Sequence, residues 1–175
     1  MYYQYPLETL ARKRGTRSQM EFARKAKAVL RDTDDVLFEA IDRGLVIFAA
    51  NEDAIDASAR VLGESFANKV EVRPPVVRLM RGEPVQQPMM YVGVTARREH
   101  AGLVVQKLRA RGVVIVEETL RPREVVVRGE ATLAYLLGLP AELAAATDGT
   151  ASHVIRLTHY AALETAGMRA GADLA

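Results

Sequence analysis

The same order of predicted elements occurs twice along the chain, and this repeat constrains the fold more than any other feature. Alternating apolar residues and turn signals predict strand, helix, strand, strand, helix and strand within residues 1–80. A polar stretch with two prolines at 81–88 is typical of a linker, and the same order follows in 89–163. This order characterises the ferredoxin-like split βαβ unit. We therefore predict an α+β chain of two tandem ferredoxin-like (βαββαβ) sandwich domains.

The first predicted domain begins with aromatic and aliphatic residues from Tyr2 to about Leu10, which indicate a strand. Pro6 has no N–H to donate, so we expect this strand at a sheet edge, followed by a basic loop at 12–17. Ser18 and Glu21 have the spacing of a capping box, which begins a helix. The apolar face of that helix is predicted to comprise Phe22, Ala26, Val29 and Leu30.

The remaining elements follow from the same patterns. The first domain is completed by strands at Val36–Ile41 and Leu45–Ala49, a helix capped by Asn51, and an extended segment from Lys69 to Leu79. The second is predicted to contain strands at Met89–Thr95, Val113–Glu117, Glu124–Arg128 and Ser152–Tyr160, a helix around Val104 and a short helix at Thr132–Leu137. Residues 164–175 are rich in alanine and glycine, and we expect a flexible tail there.

Composition excludes several classes of function. The chain has no cysteine, which removes disulfides, thiolate nucleophiles and cysteine-ligated metals. No apolar run approaches the roughly 18 residues of a membrane span, and the start lacks the layout of a signal peptide, so we expect a soluble cytoplasmic protein. No Gly-x-x-x-x-Gly-Lys-Ser/Thr phosphate loop occurs.

The net charge of +2 is too small to indicate a polyanionic partner by itself, so the distribution of charge matters more.

Basic side chains are concentrated in two short stretches. Clusters of this kind bind nucleic-acid phosphates through counterion release, which makes binding steeply dependent on salt. The alternative is a solvated helix surface, where charges on helices ordinarily lie. Our candidate RNA-binding residues are Arg12, Lys13, Arg14, Arg17, Arg24 and Lys25 in the first stretch, and Arg97, Arg98, Lys107, Arg109 and Arg111 in the second.

The sequence offers little for catalysis or metal binding. The three histidines have no spacing that closes a tetrahedral zinc site, and none has a readable catalytic partner. Gly15 beside Arg14 and Arg17 resembles only faintly the glycine-rich, phosphate-binding loop of an acylphosphatase. We therefore predict no enzymatic activity, no cofactor and no metal site. The histidines concerned are His100, His153 and His159.

The second half contains a series of residues in a recognisable order and spacing. They are the stretch Pro88–Val94, Gly102, Leu108, Arg111 with Gly112, the predicted helix Ala131–Gly138, Leu143, the segment Thr147–Ser152, and His159 with Tyr160. Through them, residues 84–160 resemble the C-terminal (fifth) domain of bacterial elongation factor G, which has a "PLAEMFGY" helix and an "LRSxTxGxGS…HY" ending.

The first half is similar to the third domain of the same factor. The similar positions are Ala26–Leu30, Asp34, the turn at Gly44, and a run made of Phe66, Val70–Val72 and Pro75–Val76. The family's "GxGELHL" loop, which faces its GTPase, corresponds to Ala49–Ile55 and lacks both glycines here. The GTPase, second and fourth domains of the factor have no counterpart, so the resemblance does not imply GTP hydrolysis. It implies docking, because the family's fifth domain rests at the base of the ribosomal stalk on large-subunit RNA and protein.

The leading prediction is thus a non-enzymatic, translation-factor-like protein that binds the ribosome, through RNA and protein near the stalk base, without GTP. The alternative is that these domains serve as a protein-interaction or oligomerisation module, including a homo-oligomer, or as a small-ligand sensor unrelated to translation. No membrane partner is expected.

Overall fold

The computed structural model of the chain describes residues 3–163, which form two antiparallel sheets and the helices that pack on them. The predicted flexible tail at 164–175 lies outside the described residues. The strands are β1 (Leu7–Lys13), β2 (Val36–Ile41), β3 (Gly44–Ala49), β4 (Val70–Val72), β5 (Val76–Val77), β6 (Gln86–Arg97), β7 (Val114–Leu120), β8 (Glu124–Thr132) and β9 (Ser152–Ala162). The helices are α1 (Gln19–Val29), α2 (Glu52–Ser65), α3 (Ala101–Ala110), α4 (Leu133–Leu136) and α5 (Leu139–Ala146).

The first sheet has the strand order β2-β3-β1-β4, and its neighbouring strands are antiparallel. The edge beside β1 is split, because β4 pairs with Ala11–Lys13 whereas β5 pairs with Leu7 and Glu8. Pro74 and Pro75 lie between these two short strands and cannot donate to the ladder. The helices α1 and α2 complete the βαββαβ order of this domain.

The predicted position of the first strand is wrong. β1 begins directly after Pro6 and is paired on both sides, so it is an interior strand and not an edge strand. A proline that precedes the first paired residue removes no hydrogen bond from the ladder. The strand also continues through Arg12 and Lys13, which the sequence pattern assigns to a loop. On α1, Val29 is 48% exposed and does not belong to the buried face, because the helix ends there.

The second sheet has the corresponding order β7-β8-β6-β9. Its central strand β6 is longer than predicted and includes Gln86–Pro88, which shortens the linker. α5 is a helix that the sequence pattern does not predict. Gly138, with φ of 81°, separates it from α4, and Pro140 lies in its first turn, where proline is favoured. Both domains have the βαββαβ order, so the predicted pair of tandem ferredoxin-like domains is confirmed.

Buried side chains of both domains form one continuous core. β3 contributes Leu45, Ile47 and Ala49 to this core, whereas its other buried side chains, Val46 and Phe48, belong to a second, smaller cluster with Tyr5. β6 contributes residues at alternate positions, among them Met90, Val92 and Val94. Phe22 of α1 meets the ring of Phe66 edge-on, with the ring centroids 5.2 Å apart. Full burial of such side chains contributes about 1.5–3 kcal/mol each, so the shared core is a large part of the stability of the chain.

The first turn of α2 lies against the second domain. Asn51 caps this helix by accepting a hydrogen bond from the Ala54 N–H at 3.0 Å. Both carboxylate oxygens of Glu52 accept from the Gly138 N–H, at 3.0 and 3.1 Å. Next to them, Nε2 of His153 lies 2.8 Å from Oδ2 of Asp53. Together with Asn51, Glu52 and Asp53, four apolar residues of the second domain line a small cavity here: Leu133, Leu136, Pro140 and Ile155.

Burial raises the pKa of Glu52 above its ordinary value, and the hydrogen bond from Gly138 only partly offsets this effect. A raised carboxyl pKa means that the folded protein holds the proton more tightly than the unfolded chain does. The contribution of Glu52 to stability is therefore full below its ordinary pKa and is lost as the pH rises through the raised one.

We expect Glu52→Gln to gain stability relative to the unmodified protein as the pH rises from about 4 to about 7. The amide oxygen of glutamine still accepts from Gly138, while the cost of a half-buried charge is removed. Urea unfolding of both proteins across that pH range gives the difference in the free energy of unfolding. Glu64→Gln, on the exposed surface of the same helix, is the matched control. A difference that does not change with pH would contradict this prediction.

Candidate nucleic-acid interface

Cations at the end of β1 line one concave surface, which we call the basic cleft. Its volume is about 300 Å³, and it carries four basic side chains and one carboxylate. Three of the cations come from β1 and the turn after it, and the fourth comes from the residue after β4. The lining residues are Arg12, Lys13, Arg14, Gly15, Thr16, Gln19, Glu71 and Arg73.

The loop that forms the basic cleft is held by hydrogen bonds to the backbone. The Gln19 side chain accepts from the Lys13 N–H at 3.1 Å and donates to the Lys13 carbonyl at 3.0 Å. The Arg14 N–H donates to the Lys69 carbonyl at 2.9 Å. Gly15 has φ of +71°, which an L side chain rarely adopts, and it turns the chain towards α1. The wall of the cleft is therefore well defined before any ligand binds.

The cations of the basic cleft differ in how far they are neutralised. Arg14 lies 3.5 Å from Glu71, but both side chains are exposed, and such a pair contributes little. The Lys13 ammonium lies 5.6 Å from the centroid of the Phe66 ring. Among residues 3–163, the guanidinium groups of Arg12 and Arg73 have neither an ion pair nor a hydrogen bond. They are available to an anionic ligand.

The other cations of the first stretch lie outside the cleft. Arg17 is exposed in the loop, and Arg24 and Lys25 are exposed on α1. Lys25 pairs with Glu21 one turn earlier at 2.6 Å, and this hydrogen bond holds the pKa of the Glu21 carboxyl below its ordinary value. The structure thus brings together three of the six predicted residues.

The sequence pattern missed Arg73, the fourth cation of the cleft. It follows β4 and reaches the cleft because that strand pairs with the end of β1. The pairing of the fourth strand with the first in a βαββαβ unit is the one signal that could have located it.

The cations of the second stretch are partly structural. Arg111 donates from Nε and Nη2 to Oε2 of Glu142, at 3.0 and 2.8 Å, and from Nη1 to the Leu137 carbonyl at 2.6 Å. Lys107 contacts the same carboxylate at 2.8 Å, and these two cations hold the pKa of Glu142 below its ordinary value. Both residues therefore tie α3 to α5. Arg109 is exposed and takes no part in these contacts.

Of the last two predicted residues, Arg97 ends β6 and Arg98 begins the turn before α3. Arg98 donates to the Arg121 carbonyl at 3.2 Å, and Arg97 lies 4.0 Å from Glu99. With Arg123 they border a shallow surface away from the basic cleft. They form a separate, weaker group of cations.

The three histidines lie apart from one another. His100, His153 and His159 make separate contacts with Glu99, Asp53 and Glu130. Within residues 3–163, no three side chains of histidine, aspartate or glutamate converge to hold a metal ion. Over the same residues, no helix is long and apolar enough to cross a membrane.

A comparison with protein families identifies the second half. Residues 85–169 match the family described as elongation factor G C-terminus. The second half of the chain is therefore similar to the C-terminal domain of elongation factor G. The resemblance seen in the motifs around Pro88, Gly112 and Gly138 is thus confirmed. The likeness of the first half to the third domain of elongation factor G stays a prediction.

A comparison with solved structures supports the fold of both halves. A crystal structure of a protein from Thermus thermophilus is similar with a TM-score of 0.64 and 12% sequence identity. The similarity covers 89% of this chain, so it includes both domains, but only 40% of the Thermus chain. At this identity the likeness shows a shared arrangement of elements.

We expect Arg111→Ala to lower the free energy of unfolding by about 2 kcal/mol, because it leaves the Leu137 carbonyl without this donor and the Glu142 carboxylate with Lys107 alone. Urea unfolding at neutral pH measures the change. Arg109→Ala, two residues earlier on the same helix, is the matched control and should leave stability unchanged. Equal stability of the two variants would show that Arg111 does not have the structural role assigned to it.

Proposed function

We propose that this protein binds the ribosome as a translation-factor-like module, with RNA phosphates held in the basic cleft. The observation that carries the proposal is the clustering of Arg12, Lys13, Arg14 and Arg73 in one cleft next to an elongation factor G C-terminal-like domain. A compact positive surface is the electrostatic footprint of nucleic-acid binding. The partly neutralised cations on α3 contribute less.

The basic cleft offers several hydrogen-bond donors to the oxygens of a phosphate group. Guanidinium groups bind phosphate oxygens in bidentate fashion, and Arg12 and Arg73 are both free to do so. The backbone N–H groups of Gly15 and Thr16 donate no hydrogen bond to the described residues and add further donors. Gln19 is occupied with the Lys13 backbone, so the cleft has no free amide for reading bases. Binding is therefore to the RNA backbone and not to its sequence.

The resemblance to elongation factor G provides the location. In that family the C-terminal domain rests at the base of the ribosomal stalk, on large-subunit RNA and protein. We propose the same docking site for the second domain, with the first domain placing the basic cleft on neighbouring RNA. The proposed role is non-enzymatic, needs no GTP and operates in the cytoplasm.

Cosedimentation with ribosomes tests this proposal. We expect the variant Arg12→Gln/Arg14→Gln/Arg73→Gln to bind about tenfold or more weakly at about 0.1 M salt, because three phosphate contacts are lost. The slope of log K against log salt should fall by about 2 to 3 in magnitude. Arg31→Gln/Arg43→Gln/Arg60→Gln removes the same charge from sites outside the cleft and is the control. No pelleting of the unmodified protein at any ionic strength, or equal loss in both variants, would end the proposal.

A protein-interaction module is the second candidate, and one observation favours it. The edge strand β7 exposes Val114, Val116 and Leu120, and Val116 is 74% exposed. An edge strand with exposed apolar residues can pair with another chain. If this function is correct, the protein sediments as an oligomer without ribosomes, and Val116→Lys restores the monomer. If the unmodified protein sediments as a monomer in analytical ultracentrifugation, the hypothesis of self-association is excluded.

A further inference from the structure

Tyr135 is an aromatic residue held at the surface of the second domain. It lies on α4, where its neighbours Leu133 and Leu136 are buried in the core while Tyr135 itself is 63% exposed. Among the described residues, Tyr3 is also exposed, but only to 38%, and it packs edge-on against Tyr160. The buried leucines hold the helix in place. The Tyr135 ring therefore presents a flat apolar surface to solvent.

The backbone around Gly112 and the side chain of Arg111 hold Tyr135 in position. One edge of the ring lies over Gly112, where an added Cβ would come 3.4 Å from Cδ2 of the tyrosine. Gly112 has φ of +71° and ends α3, with its N–H bonded to the Arg109 carbonyl. The backbone beneath the ring is held as well, because Nη1 of Arg111 donates to the Tyr135 carbonyl at 3.2 Å. The ring is therefore positioned in advance of any partner.

An unpaired cation lies beside this ring. Arg109 is exposed, and its side chain has no ion pair or hydrogen bond within residues 3–163. Arg109, Gly112 and Tyr135 line the same open concavity of about 550 Å³. Lys107 and Arg111 lie nearby and share a single carboxylate, Glu142, so the surroundings of the ring keep a positive balance. An anionic partner with a flat aromatic group matches both features.

We infer that Tyr135 and Arg109 form a binding site for an unpaired base of single-stranded RNA. The base stacks on the open face of the tyrosine ring, and the Arg109 guanidinium binds the adjoining phosphate. Base–aromatic stacking of this kind is sequence-tolerant, because every base has a flat face to offer. Bases within a duplex are stacked on one another and cannot reach the ring, so the site selects single strands. It rests on the proposed function and extends it, but is separate from the basic cleft, which binds the backbone alone.

Fluorescence anisotropy with a short labelled oligoribonucleotide tests the site without ribosomes. We expect Tyr135→Ala to weaken binding about 5- to 150-fold, Tyr135→Phe to retain it, and Arg109→Ala to weaken it with a smaller salt slope. Tyr3→Ala is the matched control, because Tyr3 packs against Tyr160 and does not line this concavity. This variant should bind as the unmodified protein does. Unfolding curves of each variant confirm that the fold is intact.

An abasic oligomer of the same length separates stacking from charge. It keeps every phosphate but offers no base, so Tyr135→Ala and the unmodified protein should bind it equally. The inference is overturned if Tyr135→Ala binds the normal oligomer as tightly as the unmodified protein, or loses the abasic oligomer to the same degree. It is also overturned if the variant loses ribosome binding while oligomers never bind, because the occupant would then be a ribosomal protein. If the unmodified protein binds the oligoribonucleotide but does not pellet with ribosomes, only the proposed ribosomal function is excluded, and the base-binding site stands.

Discussion

The two domains are held together by a shared apolar core and by the first turn of α2. Two domains of about eighty residues each would be only marginally stable alone, and here most of the buried apolar side chains of both belong to one core. The contact of Glu52 with Gly138 closes this interface on its polar side, since the carboxylate accepts from the N–H that begins α5. The position of one candidate RNA surface relative to the other depends on this interface.

The overall fold could be predicted because it rests on periodicity. Alternation in β6 and helical spacing in α2 are local properties, and the order of elements then allows few topologies. The misplaced first strand and the missed helix α5 have one cause. The effect of a proline depends on where its missing N–H would point: Pro6 precedes a ladder and Pro140 lies in a first helical turn, so neither removes a hydrogen bond that the fold needs.

The candidate sites were only partly predictable, because what a cation does depends on distant partners. From the sequence, Arg109 and Arg111 are indistinguishable as cations near the end of one predicted helix. In the structure only Arg111 contacts Glu142, a residue of another helix. Arg73 joins the basic cleft through strand pairing, and Tyr135 becomes a surface feature through the burial of its neighbours. None of these relations has a local signature.

The divided edge of the first sheet has a consequence for behaviour at high concentration. A long, unbroken border of free N–H and C=O groups would let copies of the chain add strand upon strand. Here Pro74 and Pro75 leave β4 and β5 only three and two residues long. An incoming strand therefore finds no continuous ladder to copy, and the side of the sheet nearest the basic cleft stays open to a nucleic acid without inviting fibrous self-assembly.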